Sequence, residues 1–189
     1  VAIIGFQLFM SSTGTASLKS ENTFLYLAKE GYVEDVLLVN KVRVDFKLTE
    51  GANSGIKYFV NTLLNQGKGS AIGMEFQVLD DRNHPDAKQG KNGNRTVGSL
   101  YDLIRAENTT TGGRGKNFKG INAWNNARIV VRGGQVEHWL NHVLVVAYDR
   151  HSQAFKALVE KSKYEKWEGF GTWPAGHILL QDHGNNVAF

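Results

Sequence analysis

From Val42 to Leu48 apolar and polar residues alternate one by one, and this pattern fixes the backbone as extended. Successive side chains of a strand point to opposite faces, so Val42, Val44, Phe46 and Leu48 share one buried face, whereas a helix would scatter them around its axis. Ile56 to Val60, after Asn53-Ser54-Gly55, and Gly73 to Leu79 read as further strands entered through small or turn-forming residues. Arg128 to Arg132 and Val136 to Leu140 flank Gly133-Gly134, a pair that readily supplies the positive φ of a two-residue hairpin turn. Val143 to Tyr148 is expected to return beside them as a third strand. Val1 to Met10 reads as a strand at one end of the chain, and Ile178 to Leu180 leads a last strand that stops near Phe189. A short surface helix is expected over Ser152 to Lys163, where Phe155, Leu158 and Val159 recur between Lys and Glu.

Many short strands, 21 glycines against 2 prolines, and no alternation of helix with strand point to an all-β fold of two antiparallel sheets packed as a sandwich. The 189 residues fit one domain, and no composition shift divides them. The absence of cysteine excludes disulfides, thiolate metal sites and a cysteine nucleophile. Lys and Arg outnumber Asp and Glu by 22 to 18, but they are spread without arginine-rich runs, so no nucleic-acid partner is expected. The apolar opening is too short to span a bilayer and lacks the basic start and cleavage site of a signal peptide. From Asp80 to Lys119 periodicity fades into Gly, Asn, Asp and Thr, with one apolar piece at Leu100 to Ile104. Loops of this length in compact domains are usually functional or disordered.

Three segments concentrate groups able to do chemistry. In Gly73 to Asp81 the alternation sets Glu75 and Gln77 against Met74, Phe76 and Val78, and the loop that follows carries Asp80, Asp81, His84 and Asp86. His177, Leu179, Gln181 and His183 share a face just before Gly184. Trp139, beside Glu137 on a face opposite His138, is a candidate to stack on a pyranose ring, although a tryptophan packed in the core would show the same pattern. Glu75, Asp80, Asp81, His84, Asp86 and His183 are suitable ligands for a divalent cation, but their spacing matches no metal motif.

Taken in order, Asn53-Ser54-Gly55-Ile56, Glu75 to Asp80, His84-Pro85-Asp86, Gly98 to Leu103, Trp124-Asn125, Glu137 to Asn141 and Gln181 to Gly184 resemble the 3-keto-disaccharide hydrolase family over about Lys41 to Phe189. The resemblance implies a two-sheet antiparallel jelly roll of the concanavalin A-like kind, a carbohydrate substrate, and a periplasmic or extracellular location. Before Lys41 the likeness is poor. Where the family has Asn-Gly after Trp-Leu, this chain has Asn141-His142, which disfavours a tight turn with positive φ.

Laminarinases, which share that jelly roll, carry Glu-x-Asp-x-Glu on one strand, and the motif is absent here. The resemblance therefore implies a route open only to a keto sugar: a base removes the proton beside the ketone, the leaving group departs by elimination, and water adds back. His183 or Glu75 is expected as the base, with the other as the acid. Asp80, His84 and Gln181 are expected to orient hydroxyls or to hold a divalent cation, with Gln77 also binding substrate and Tyr101 and Trp139 as sugar platforms. A carbohydrate-binding, lectin-like module without catalysis is the alternative, and such a module would rely more on amides and aromatics than on ionisable groups like those near Glu75, Asp80, His84 and His183. A purely structural sandwich domain would leave those groups unexplained.

Overall fold

The computed structural model describes residues 3–10, 14–17, 35–65, 71–109 and 115–189. Along these the chain forms β1 (Ile3–Met10), β2 (Gly14–Ser17), β3 (Asp35–Leu48), β4 (Asn53–Asn61), β5 (Ile72–Leu79), β6 (Asn125–Arg132), β7 (Gln135–Leu140), β8 (Val143–Asp149), helix α1 (Gln153–Glu160), β9 (His177–Leu180) and β10 (Val187–Ala188). The strands make two antiparallel sheets, a larger one in the order β2-β1-β3-β6-β7-β8 with β10 on β3, and a smaller one in the order β5-β4-β9. This is the expected all-β jelly-roll sandwich, and the strands foreseen between Val42 and Tyr148 lie within observed ones. The single last strand expected from Ile178 to near Phe189 is instead β9 in the small sheet and β10 on β3 in the large one. Residues 1 and 2 of the opening strand fall outside the described residues. Among the described residues no helix is long and apolar enough to cross a membrane.

The core lies between the sheets. Phe46 and Leu48 of β3, Ile129 of β6 and Val136 and Leu140 of β7 meet Ile56 and Tyr58 of β4 and Met74, Phe76 and Val78 of β5, all buried. Burying side chains of this size contributes roughly 1.5–3 kcal/mol each. The pleat then dictates the rest: with Phe76 and Val78 turned inward, Glu75 and Gln77 must leave β5 on the face turned away from the large sheet. In the β4–β5 register Lys57 stands opposite Glu75 and Gly55 opposite Gln77.

The hairpins close as their residues allow. Gly133 takes φ +56° in the turn that pairs Arg132 with Gln135. At Asn141-His142 the expectation fails: both residues take positive φ, 46° and 69°, and Leu140 still pairs with Val143. The Asn141 side chain explains it. Its Nδ2 donates to the Asn117 carbonyl (2.8 Å) and to Asn125 Oδ1 (2.7 Å), while its Oδ1 accepts from the Asn126 amide (2.8 Å). Asn tolerates the left-handed region, and these bonds hold it there at the expense of strain in His142.

The long loop after β5 is tied to that strand. Gly98 N donates to Gln77 O, Gln77 N to Ser99 O and Tyr101 N to Glu75 O, so the segment runs along the free edge of the small sheet. Helix α1, capped by the Ser152 hydroxyl on the Phe155 amide, buries Phe155 against Tyr148. The segment after it folds back through Phe170, which stacks on Tyr164, and through Arg150, which donates to the carbonyls of Gly171 and Trp173. These two loops form walls above the outward face of the small sheet.

Candidate functional site

Between those walls lies a cleft of about 590 Å³, floored by Asn53 and Lys57 of β4, Glu75 and Gln77 of β5, and Gln181 and His183 at and beyond the end of β9. His84, Pro85, Asp86 and Tyr101 line it from one loop, and Lys163, Tyr164, Lys166 and Trp167 from the other. Segments far apart in sequence meet here because β4 pairs on both sides, with β5 and with β9. Gln181 is seated by its own amide donating to Gly55 O and by its carbonyl accepting from the Ser54 hydroxyl (2.7 Å).

Glu75 sits at the bottom of the cleft, 5% exposed. Burial pushes its carboxyl up to about 7, against the opposing pull of the Lys57 and Lys163 charges. Lys57 Nζ lies 3.6 Å from Glu75 Oε2 and donates to the Ala71 carbonyl (2.9 Å). The Gln77 amide nitrogen donates to Ser54 O (2.9 Å) and to Glu75 Oε1 (3.1 Å). Gly55 leaves the space this carboxylate needs, since a Cβ there would collide with the Glu75 side chain. The result is a carboxyl held in place and poised between its two protonation states near neutral pH.

One wall is built from charge. Arg95 grips Asp86 Oδ1 (2.8 Å) and Asp102 Oδ1 (2.6 Å), and Asp86 Oδ2 accepts from the Tyr101 hydroxyl (2.9 Å). Burial first, then the Asp86 bond, holds the Tyr101 phenol above its usual range, so it remains a donor. Lys163 Nζ lies 4.1 Å from the centre of the Tyr101 ring. His84 Nδ1 accepts from the Asp86 amide (3.2 Å) at the start of a 3-10 turn over Pro85–Lys88. In the neutral ring this places the proton on Nε2.

The structure thus brings together Glu75, Gln77, His84, Asp86, Tyr101, Gln181 and His183, seven of the residues singled out in the sequence. Asp80 and Trp139 are not among the lining residues. Asp80 is buried behind the turn and accepts from the Gly51 amide (2.8 Å), the Arg82 amide (3.2 Å) and Asn83 Nδ2 (2.7 Å). Burial alone would raise its carboxyl, but these bonds outweigh that and hold it below its usual value. Its role in this geometry is to shape the loop, not to meet a hydroxyl or a cation. Trp139 lies on the outer face of the large sheet, across the core from the cleft, under the Arg128 guanidinium (4.2 Å) and with Nε1 donating to Glu137 Oε2 (2.8 Å). It is no platform for a ligand in the cleft. Tyr101 lines the cleft with Lys163 and Arg95 near its ring, and the half-buried Trp167, with Lys166 near its own ring, is a second aromatic of the cleft able to stack on a sugar.

Lys57, Lys163 and Trp167 had no part assigned from the sequence. Lys57 follows a strand's alternation and is visible as outward-facing, but its pairing with Glu75 depends on register. Lys163 and Trp167 lie beyond the helix, in a stretch with no periodicity to orient them. Among the described residues no group of three or more His, Asp or Glu side chains stands together as a metal ion would need. Glu75 is engaged by Lys57, and Asp86 by Arg95 and Tyr101.

Residues 14–189 match the family described as the 3-keto-alpha-glucoside-1,2-lyase-like domain, a likeness that begins well before Lys41. A curated relative from Bacteroides thetaiotaomicron, named 3-keto-disaccharide hydrolase, is 34% identical over 185 residues, covering 86% of this chain. The chain spans 61% of that relative's length. A crystal structure from Parabacteroides distasonis, carrying a provisional glycosyl hydrolase name, superposes with a TM-score of 0.64 at 25% identity. It covers 80% of this chain and 69% of its own.

Proposed function

The chain belongs to the 3-keto-alpha-glucoside-1,2-lyase-like domain family, and on that footing we propose that its cleft cleaves 3-keto-glycosides, 3-keto-disaccharides among them, by elimination followed by hydration. The observation that carries this reading is Glu75, a buried carboxyl whose pKa stands at about 7 on the cleft floor, with His84, Gln181 and His183 lining the same space. A base works best when its pKa lies near the working pH. An exposed carboxylate, with its lower pKa, would be a weaker base toward a carbon-bound proton.

The chemistry divides between the residues present. Glu75 takes the proton from C2, which the neighbouring C3 ketone acidifies, and the electron pair moves onto the ketone oxygen. As the carbonyl re-forms, the C1–O bond breaks and the leaving oxygen takes a proton from His183. Water then adds at C1 of the enone and a proton returns to C2, which yields the free 3-keto sugar and the released alcohol. Gln77, His84 and Gln181 orient the hydroxyls, and Trp167 stacks on the ring.

Incubating the protein with 3-keto-trehalose and with trehalose tests this reading. We expect sugar release from the keto substrate and none above background from its parent, because only the ketone makes the adjacent proton removable. Equal release from both would favour direct glycoside hydrolysis. Binding of the keto sugar without any turnover would make the cleft a carbohydrate-binding site alone.

A further inference from the structure

Elimination beside a ketone needs more than a base and an acid, because negative charge gathers on the ketone oxygen as the proton leaves. We infer that Lys163 is the group that meets this oxygen and stabilises it as the enolate, an assignment that rests on the reading of the cleft as a 3-keto-glycoside site.

Three lysines line the cleft, and their surroundings separate them. Lys57 is 5% exposed, already donates to the Ala71 carbonyl, and is the charge partner of Glu75, so it tunes the base. Lys166 is exposed, with Nζ 5.3 Å from the centre of the Trp167 ring, and its charge is not among those that bear on Glu75. Lys163 differs from both. Its stem is exposed while its ammonium rests against two aromatic rings, Tyr101 at 4.1 Å and Tyr164 at 5.2 Å.

Aromatic faces hold an ammonium through its charge and leave its N–H donors unspent. Among the described residues no carboxylate comes within ion-pair distance of Lys163. A cation held in place by rings, with donors turned to no acidic partner, is pre-organised for an oxygen that becomes anionic during reaction. Partial burial lowers the Lys163 pKa, and the Asp102 and Glu75 charges oppose that shift. Lys163 and Glu75 line the same cleft, and the charge of each bears on the other. A base takes the C2 hydrogen from one face of the ring while the ketone oxygen on C3 lies near the ring plane, within reach of a donor on the cleft wall, where Lys163 stands.

Steady-state kinetics on 3-keto-trehalose with Lys163→Met, Lys163→Gln and Lys163→Arg test the assignment. Removing one oxyanion donor typically costs about 100- to 1,000-fold in kcat. We expect Lys163→Met and Lys163→Gln to lose about 100-fold or more in kcat with KM changed less than about threefold, and Lys163→Arg to recover most of the loss. Because the side chain is exposed, the melting temperatures of all three should match the parent. A kcat within about threefold in Lys163→Met, or a loss confined to KM, would overturn the role, since the latter marks binding that is equal in ground and transition states. No turnover by the unaltered protein would instead strike the underlying reading of the cleft, so the two failures are distinguishable.

Discussion

Glu75 and His138 are both buried, and burial moves them in opposite senses: the carboxyl up to about 7, the imidazole down to about 4. His138 is fully buried, with Nδ1 on the Gly98 carbonyl (3.0 Å) and Nε2 on the Tyr58 hydroxyl (2.7 Å), and in this network the ring is neutral. Each shift is also a dependence of stability on pH. For Glu75 the folded state keeps a proton that the unfolded chain loses above about 4.5, so stability is lost as pH rises from 4.5 to about 7. For His138 the unfolded chain takes up a proton below about 6.5 that the folded state refuses, so stability is lost as pH falls from 6.5 to about 4.

Over the shared window the two slopes oppose. Each is worth on the order of 3 kcal/mol across its full range. Glu75→Gln removes one slope and keeps the other. Denaturant unfolding at several pH values should therefore show the stability of this variant, relative to the unaltered protein, rising by about 3 kcal/mol between pH 4.5 and pH 7.5. A relative stability that does not change with pH would mean that Glu75 titrates as an exposed carboxyl.

At the scale of elements, alternation placed the strands because a half-buried strand has only one way to hide its apolar side, and β3 to β8 follow from it. Alternation also told which side chains of a strand share a face, but not which sheet that face belongs to or what covers it. Glu75 and Trp139 were therefore equally good candidates in sequence, and the sandwich puts them on opposite outer faces. Asp80 was misread for a related reason: a carboxylate at a strand end looks the same whether it serves a ligand or the turn that follows it.

The β7–β8 hairpin went the other way, since local preference argued against the turn and tertiary hydrogen bonds from Asn141 imposed it. His142 remains strained at φ +69° and exposed. Replacing it with Gly should raise stability by about 1 kcal/mol, the usual size of relief at a left-handed position. A thermal or denaturant midpoint that falls in this variant would show that the imidazole contributes more than its backbone costs.

In the whole molecule, the large sheet and the core make a rigid support, and the small sheet presents the cleft on its outer face beneath two loops. The two kinds of information are complementary. Ordered motifs in the sequence pointed to the family, and the structure shows why those motifs occur together: Asn53, Glu75, His84, Tyr101, Gln181 and His183 all border one space. That Lys57 and Lys163 belong to that space followed only from register and loop path. What distinguishes the elimination route from ordinary hydrolysis is the fate of the hydrogen on C2. Run in deuterium oxide with 3-keto-trehalose and followed by NMR at early times, the reaction should release 3-keto-glucose carrying deuterium at C2, above an enzyme-free control. Release of product that keeps its original hydrogen there would contradict removal of that proton by the base in this cleft.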